Sequence, residues 1–310
     1  MSRFQQFFYV PEGIVRASGP DAAEFLQGQF SNDLLVEVGS VVFGLWLNRK
    51  GKIVADSFVL REAEDSFLLI SYYSSSDAIL ERLDAYIIMD EVELEKIEKV
   101  EGKTVWLNDE LEAALLQAEV SIPEKGKYSK KGDVVIFRGL RGCEDSVEIL
   151  KIGSEGIAFQ SVGAGYEIEE MSCEEVGRLA VVGNSPIFKL GIEDGKDLPQ
   201  EVGLGESGVA YNKGCYLGQE VMARIKSMGR VRRELKPAIL ESAPSSLGEP
   251  ARVFDLVDDA GRRVGEFRSV ASCSNRVYGF AMLRVGIETE RWFARLDEGD
   301  LSELELSFVE

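Results

Sequence analysis

"LPQEVGLGESGVAYNKGCYLGQEVMARIKSMGRVRREL", Leu198 to Leu235, is the stretch on which the reading of this chain turns. Inside it Cys215 lies between Gly214 and Gly218, with Lys213 two residues before it and Glu220 five after. The glycines permit a sharp bend or a close backbone approach, and "GQEVMARI" is able to open a helix beside the thiol. A helix N-terminus and Lys213 would together favour a thiolate, since both stabilise negative charge. The competing reading makes Cys215 a small buried hydrophobe, as most lone cysteines are. Exposure of the sulfur separates the two. Downstream, Arg224, Lys226, Arg230, Arg232, Arg233 and Lys236 place six positive charges within thirteen residues. This is either a local site for an anion, such as a polyglutamate tail, a phosphate or a short RNA, or a solvated face balanced by neighbouring acids.

The rest of the composition bounds the chemistry. The chain has 310 residues and a formal charge of −19, from 54 acids against 35 bases. Length suggests about two domains, and 45% hydrophobic with 29% charged residues is ordinary for a globular fold. Strong acidity disfavours adventitious binding to nucleic acid or anionic membrane. No apolar run approaches the roughly 20 residues that span a bilayer, and the N-terminus lacks the pattern of a signal peptide; the expected location is cytoplasmic. Histidine is absent, which excludes Ser-His-Asp triads, Cys-His pairs and histidine-containing metal sites. Cys143, Cys173, Cys215 and Cys273 include no Cys-x-x-Cys pair, so no zinc, redox or cluster-binding motif is expected from this chain alone and no metal ligands are assigned.

The order of elements predicts an α+β fold with largely antiparallel sheets. "SGPDAAEFLQGQFSND" offers Ser18 as N-cap of a helix carrying Ala22, Phe25 and Leu26 on one face. "SVVFGLWLNRKGKIVADSFVL" reads as a hairpin turning at Asn48 to Lys52. "SFLLI", "VELEKI" and "TVWL" read as strands, and Ile79, Leu80, Leu83, Tyr86 and Ile87 as one helical stripe. "DELEAALLQA" and "SCEEVGRLAV" read as helices, with capping-box spacing at Asp109/Glu112 and Ser172/Glu175. Beyond Pro237, "ARVFDLV", "RVGEFRSVAS", "RVYGFAML", "RWFARL" and "ELELSFV" predict a small barrel-like β domain. The domain boundary is placed at 235/236, giving 1–235 and 236–310.

In "KIVADSFVL" Asp56 shares a strand face with Val54, Phe58 and Leu60. A carboxylate in that apolar register either pairs with a buried base, faces a ligand, or lies on an edge turned to water; in the first two cases its pKa is perturbed.

The Leu198–Leu235 run resembles the signature of the YgfZ family of folate-binding proteins, relatives of the aminomethyltransferase of the glycine cleavage system. Lys213, Gly214, Cys215, Tyr216, Gly218, Gln219 and Glu220 match its Lys-Gly-Cys-Tyr-x-Gly-Gln-Glu pattern. "DAAEFLQGQFSND", "LNRKGKIVADSFVL" and "GRLAVVGNSPIF" resemble other family segments in the same order. The resemblance implies a three-lobed, aminomethyltransferase-like arrangement around a folate channel, built from two interleaved lobes and a C-terminal barrel. It implies tetrahydrofolate, or a derivative, as ligand and a role in assembly or repair of iron–sulfur clusters in client enzymes, including tRNA-methylthiolating radical enzymes. Cys215 is then the functional residue, with Lys213 and Asp56 beside it as catalytic candidates. Gln29, Asn32, Asp33, Lys50, Lys52, Asp56 and Arg178 become candidate folate contacts. The chain departs from aminomethyltransferases in keeping a single acid, Asp56, in the hairpin, and from many family members in having Ser227 for a histidine and Gly203 for an asparagine. The alternative function is a folate-dependent one-carbon transferase or demethylase; a third is a scaffold docking a client or RNA through Arg224–Lys236.

Overall fold

A computed structural model describes residues 3–107, 122–142, 146–153, 167–243, 247, 249, 251–287, 289, 291–296 and 303–309. The expected helix with Asp109 and Glu112, and Cys143, lie outside these residues.

The first sheet grows from the predicted hairpin. Strands β3 (Val41–Leu47) and β4 (Ile53–Arg61) pair antiparallel, Val41 opposite Leu60, and β5 (Ser66–Ser71), β2 (Gly13–Ser18) and β6 (Glu93–Lys96) complete the order β3-β4-β5-β2-β6. Strand β4 is buried on both faces except at Val54 and Arg61, consistent with its near-continuous apolar sequence. One face packs under helices α1 (Ala22–Gln29) and α2 (Ser76–Asp84), where Phe25, Leu26, Phe30, Trp46, Val59, Ile79 and Leu83 form a core. Helix α1 starts one turn later than Ser18 would place it: Asp21 is its N-cap, because Ser18 is still hydrogen-bonded in β2. Tyr86 and Ile87 lie beyond the end of α2 yet still pack on that core.

The second sheet has the order β11-β1-β7-β10-β9-β8. It uses β1 (Arg3–Tyr9), β7 (Val100–Trp106), β8 (Tyr128–Lys131), β9 (Val134–Arg138), β10 (Ser146–Ile152) and β11 (Glu167–Glu170). The chain therefore begins in this sheet, leaves to build the first, and returns. Phe58, Leu60, Leu68, Ile70 and Tyr72 of the first sheet meet Val100, Val135, Phe137 and Leu150 of the second in one shared core.

A connecting region carries α3 (Cys173–Val182), the short β12 (Ile187–Phe188) and β13 (Gly191–Ile192), and α4 (Gln219–Met228). The Ser172/Glu175 capping box forms as the spacing predicts, Glu175 N donating to Ser172 Oγ at 3.2 Å and Ser172 N to Glu175 Oε2 at 2.8 Å. The C-terminal strands β14 (Arg233–Leu240), β15 (Val253–Val257), β16 (Arg263–Cys273), β17 (Arg276–Arg284), β18 (Phe293–Arg295) and β19 (Glu303–Phe308) close into the expected barrel. Among the described residues no helix is long and apolar enough to cross a membrane.

Candidate functional site

A cavity of about 810 Å³ opens where the two sheets, the connecting region and the barrel meet, a size in the range of small-ligand sites. Its apolar wall is Val41, Phe43, Phe58 and Tyr72; Arg138 and Leu140 come from the second sheet, Gln200 to Leu204 from the connecting region, and Glu234 and Leu235 from β14. Asp56 lies in this wall with 3% of its surface exposed, so the edge-strand reading of this carboxylate does not hold.

The local sequence fixes Asp56 where the ladder between β4 and β5 runs out. That pairing extends from Arg61 only as far as Phe58 opposite Ile70. Beyond it, serine hydroxyls replace strand bonds: Ser57 Oγ and Ser71 Oγ donate to the Asp56 carbonyl at 2.7 and 2.6 Å, and Asp56 N donates to Ser74 Oγ at 3.1 Å. The carboxylate accepts from Ser74 Oγ at 3.0 Å and from Phe188 N at 3.4 Å. Burial pushes its pKa up to about 6, against the opposing pull of these hydrogen bonds and, more weakly, of Arg141. At neutral pH Asp56 is thus an acceptor poised to take a proton or share a donor.

The wall behind it is held by a buried polar network. Glu148 accepts from Tyr9 OH at 2.6 Å, Tyr72 OH at 2.8 Å and Thr104 Oγ1 at 2.8 Å. The Arg141 guanidinium lies 3.9 Å from the Tyr72 ring centre and 4.4 Å from that of Tyr9. Tyr72 therefore presents a fixed face to the cavity, with its hydroxyl engaged on the far side.

Gln200 supplies a second polar group. Its Nε2 donates to Tyr211 OH at 3.0 Å and lies 3.3 Å from Met222 Sδ, while its buried Oε1 has no partner among the described residues. An unsatisfied buried acceptor is costly, and this one belongs to a residue of the cavity wall. Sequence reasoning missed Gln200 and Ser74. Gln200 sits inside the quoted signature run, three residues before the flagged Gly203; Ser74 lies in the serine run "SYYSSSD", which carries no periodic signal.

The signature loop packs farther along the same face of the first sheet, where Tyr216 meets Leu45 and Leu47; Leu45 is the β3 partner of Asp56. Gly218 has φ +88°, and a Cβ there would come within 2.9 Å of the Asn48 carbonyl oxygen of the hairpin turn. Leu217 N donates to Gly28 O at 3.1 Å, and Lys213 Nζ donates to Phe30 O at 2.8 Å and Asn32 O at 2.7 Å. Asn32 Nδ2 donates to Phe43 O at 2.8 Å and Ser207 O at 3.1 Å. Tyr216 is buried beside Leu45, Leu47 and Met222, whereas Cys215 is exposed. The thiol is thus presented to solvent on a loop anchored on both sides. Lys213 acts visibly as a strut, its ammonium directed at carbonyls; burial lowers its pKa to about 8 although Asp33 pulls the other way. Gln219 opens α4, its backbone N–H donating to Tyr216 O at 3.1 Å, and Glu220 is exposed in the first turn.

Of the candidate folate contacts, the cavity wall includes Asp56. Asn32 lies at the signature loop, where Lys213 grips its carbonyl, and Gln29 ends α1. Asp33 is exposed and accepts from Gln27 Nε2 at 2.8 Å. Lys50 is exposed at the hairpin turn, and Lys52 reaches the cavity rim indirectly, 3.5 Å from Glu201 Oε2. Arg178 is half-buried on α3. Among the described residues no group of three or more histidine, cysteine, aspartate or glutamate side chains is placed to hold a metal ion.

Comparison with known proteins gives this arrangement relatives. Residues 11–105 match the GCVT N-terminal domain. The iron–sulfur cluster assembly factor IBA57 homolog of Yarrowia lipolytica is 28% identical over 272 residues, covering 78% of this chain and 56% of that protein. This chain therefore spans a little over half the length of that relative. The tRNA-modifying protein YgfZ of Vibrio vulnificus (strain CMCP6) is 23% identical over 290 residues, 91% of this chain and 84% of that protein. The crystal structure of glycine cleavage system aminomethyltransferase T from Bartonella henselae superposes with a TM-score of 0.77 at 16% identity, over 100% of this chain and 86% of that one. The fold is thus aminomethyltransferase-like, mixed α+β with a C-terminal closed barrel.

Proposed function

We propose that this GCVT-domain protein, whose homologues carry the names YgfZ and IBA57, is a tetrahydrofolate-binding accessory factor for iron–sulfur enzymes. Its clients would include tRNA-methylthiolating radical enzymes. The single observation that carries the ligand is the cavity itself: an apolar wall of Phe43, Phe58 and Tyr72 with two polar residues in the lining, Asp56 and Gln200, the latter's buried Oε1 having no partner among the described residues. A pterin is a flat ring rich in N–H donors, and these groups suit it.

Asp56 and Gln200 would hold the ring's donors, with the aromatic wall excluding water. Folate, when bound, supplies a carrier for one-carbon units. The chain's own contribution at that point is Asp56, able to hold or release a proton near neutral pH. Cys215, exposed on its anchored loop, would serve as thiolate nucleophile or transient ligand for a cluster that is cargo. The raised pKa of Asp56 also favours a second reading, one-carbon transfer or demethylation on the folate.

Titrating tetrahydrofolate against wild type and Asp56→Ala tests the placement. Loss of a charged acceptor in a buried site should weaken binding about tenfold or more; unchanged affinity would sink it. Cys215→Ser in a deletion strain should fail to restore methylthiolated tRNA, and full restoration would remove the cysteine's role. Appearance of methylenetetrahydrofolate from candidate amine donors would favour the transferase reading.

A further inference from the structure

The basic segment resolves into two parts. Arg233 is drawn inward, donating to Glu201 Oε2 at 2.9 Å and reaching Asp197 at 3.4 Å, and Lys236 lies 3.4 Å from Glu234. Arg224, Arg230 and Arg232 are exposed and have no ion pair among the described residues, and the exposed Lys226 caps the Tyr211 ring at 3.7 Å. Arg224 and Met228 are one turn apart on α4, and Met228 is 66% exposed. Val285 N donates to Arg232 O at 3.0 Å, which brings Val285, 57% exposed, and the exposed Arg284 onto the same ridge. On the other flank the hairpin turn abuts α4, where a Cβ at Gly51 would come within 2.9 Å of Val221, and that turn carries exposed Arg49 and Lys50. Cys215 lies four residues before the start of α4.

We propose that this ridge is a docking surface for a protein partner that presents acidic side chains interleaved with apolar ones, and that docking there brings the partner over Cys215. Charge complementarity supplies the argument. Exposed cations without an ion pair among the described residues, concentrated on one face of a −19 chain, create a local attractive field that ordinary ionic strength confines to about 8–10 Å. A long polyanion would extend beyond that field and meet the repulsion of the remaining acidic surface. A compact acidic segment would not, and it could also cover Met228 and Val285. Single-stranded nucleic acid, in addition, is held by stacking on aromatic side chains, and the one aromatic ring named on this ridge, Tyr211, is half-buried and already covered by Lys226. The inference is independent of what the cavity binds.

Fluorescence anisotropy with the full chain and a labelled peptide of glutamates interspersed with leucines reads this surface, without folate present. Wild type should bind the peptide, and affinity should fall about tenfold or more in Arg224→Glu/Arg230→Glu/Arg232→Glu and decline between ~50 and ~200 mM salt. Saturating peptide should slow alkylation of Cys215 by N-ethylmaleimide in wild type but not in the variant. Should the triple variant misfold, Arg49→Glu/Lys50→Glu on the opposite flank should give the same direction of change. Equal binding by wild type and a folded variant, no binding at all, or an oligouridylate of matched charge binding more tightly than the peptide would each overturn the proposal.

Discussion

Asp56 is the residue at which sequence and structure meet most directly. Its apolar register in "KIVADSFVL" was enough to mark it, and burial supplies the reason, since a carboxylate surrounded by Phe58, Tyr72 and backbone is disfavoured in its charged form. The folded pKa, about 6, lies above the ordinary 3.8, so between those values the folded state binds more protons than the unfolded one. Stability contributed by this group is therefore fully present below about pH 4, falls as pH rises to about 6, and is constant above. Asp56→Asn should stabilise the ligand-free protein at pH 7.5 by up to about 3 kcal/mol, with the gain shrinking towards pH 4; urea denaturation at several pH values measures it. Cys215 was singled out by its motif, while its exposure was left open. Only the structure shows the sulfur exposed while Tyr216, next to it, is buried. Gln200 illustrates the opposite case: it lies inside the quoted run, but no local pattern there marks its amide oxygen as buried and without a partner among the described residues.

At the scale of elements, the β3–β4 hairpin, α3 with its capping box and five of the six barrel strands were legible because each is specified by local pattern; β14, at the end of the signature run, was not. The signature loop was legible only in part, and its two glycines turn out unequal. Gly218 adopts a left-handed conformation with a carbonyl oxygen 2.9 Å from the position a Cβ would take, whereas a Cβ on Gly214 would meet nothing within 4 Å. Gly218→Ala should cost about 1–2 kcal/mol from conformation alone, more from the contact with Asn48, and should alter the alkylation rate of Cys215. Gly214→Ala should leave both nearly unchanged. Equal effects in urea unfolding and thiol labelling would show that the loop does not depend on this turn. Strands β1 and β8 to β11 were not read from the sequence. Strand β1 is joined to β11 and β7 by partners about 100 residues or more away, and no local period reports such pairings.

Across the whole molecule, a buried ion network ties the barrel to the rest. Arg268 on β16 donates to Asp197 at 2.5 and 3.0 Å and to Glu266 at 2.6 Å, while Arg233 joins Asp197 to Glu201, and Glu201 reaches Lys52 of the hairpin. Both Arg268 and Asp197 are essentially fully buried. Arg268→Met leaves Asp197 facing a lost partner and should destabilise the protein by about 3–5 kcal/mol. Asp197→Leu added to it should recover part of that loss, since two apolar groups replace the pair; chemical denaturation of the single and double variants measures both. By itself the sequence determined the α+β class, the hairpin and most of the barrel strands, and it singled out Asp56 and the Cys215 run as candidates, because hydrophobic period, turn residues and motif spacing are local properties. Tertiary structure alone decided which polar residues line one cavity, which arginines are consumed in ion pairs and which, among the described residues, have none on the α4 ridge. Burial and pairing depend on chains distant in sequence, and no residue's neighbours along the chain encode them.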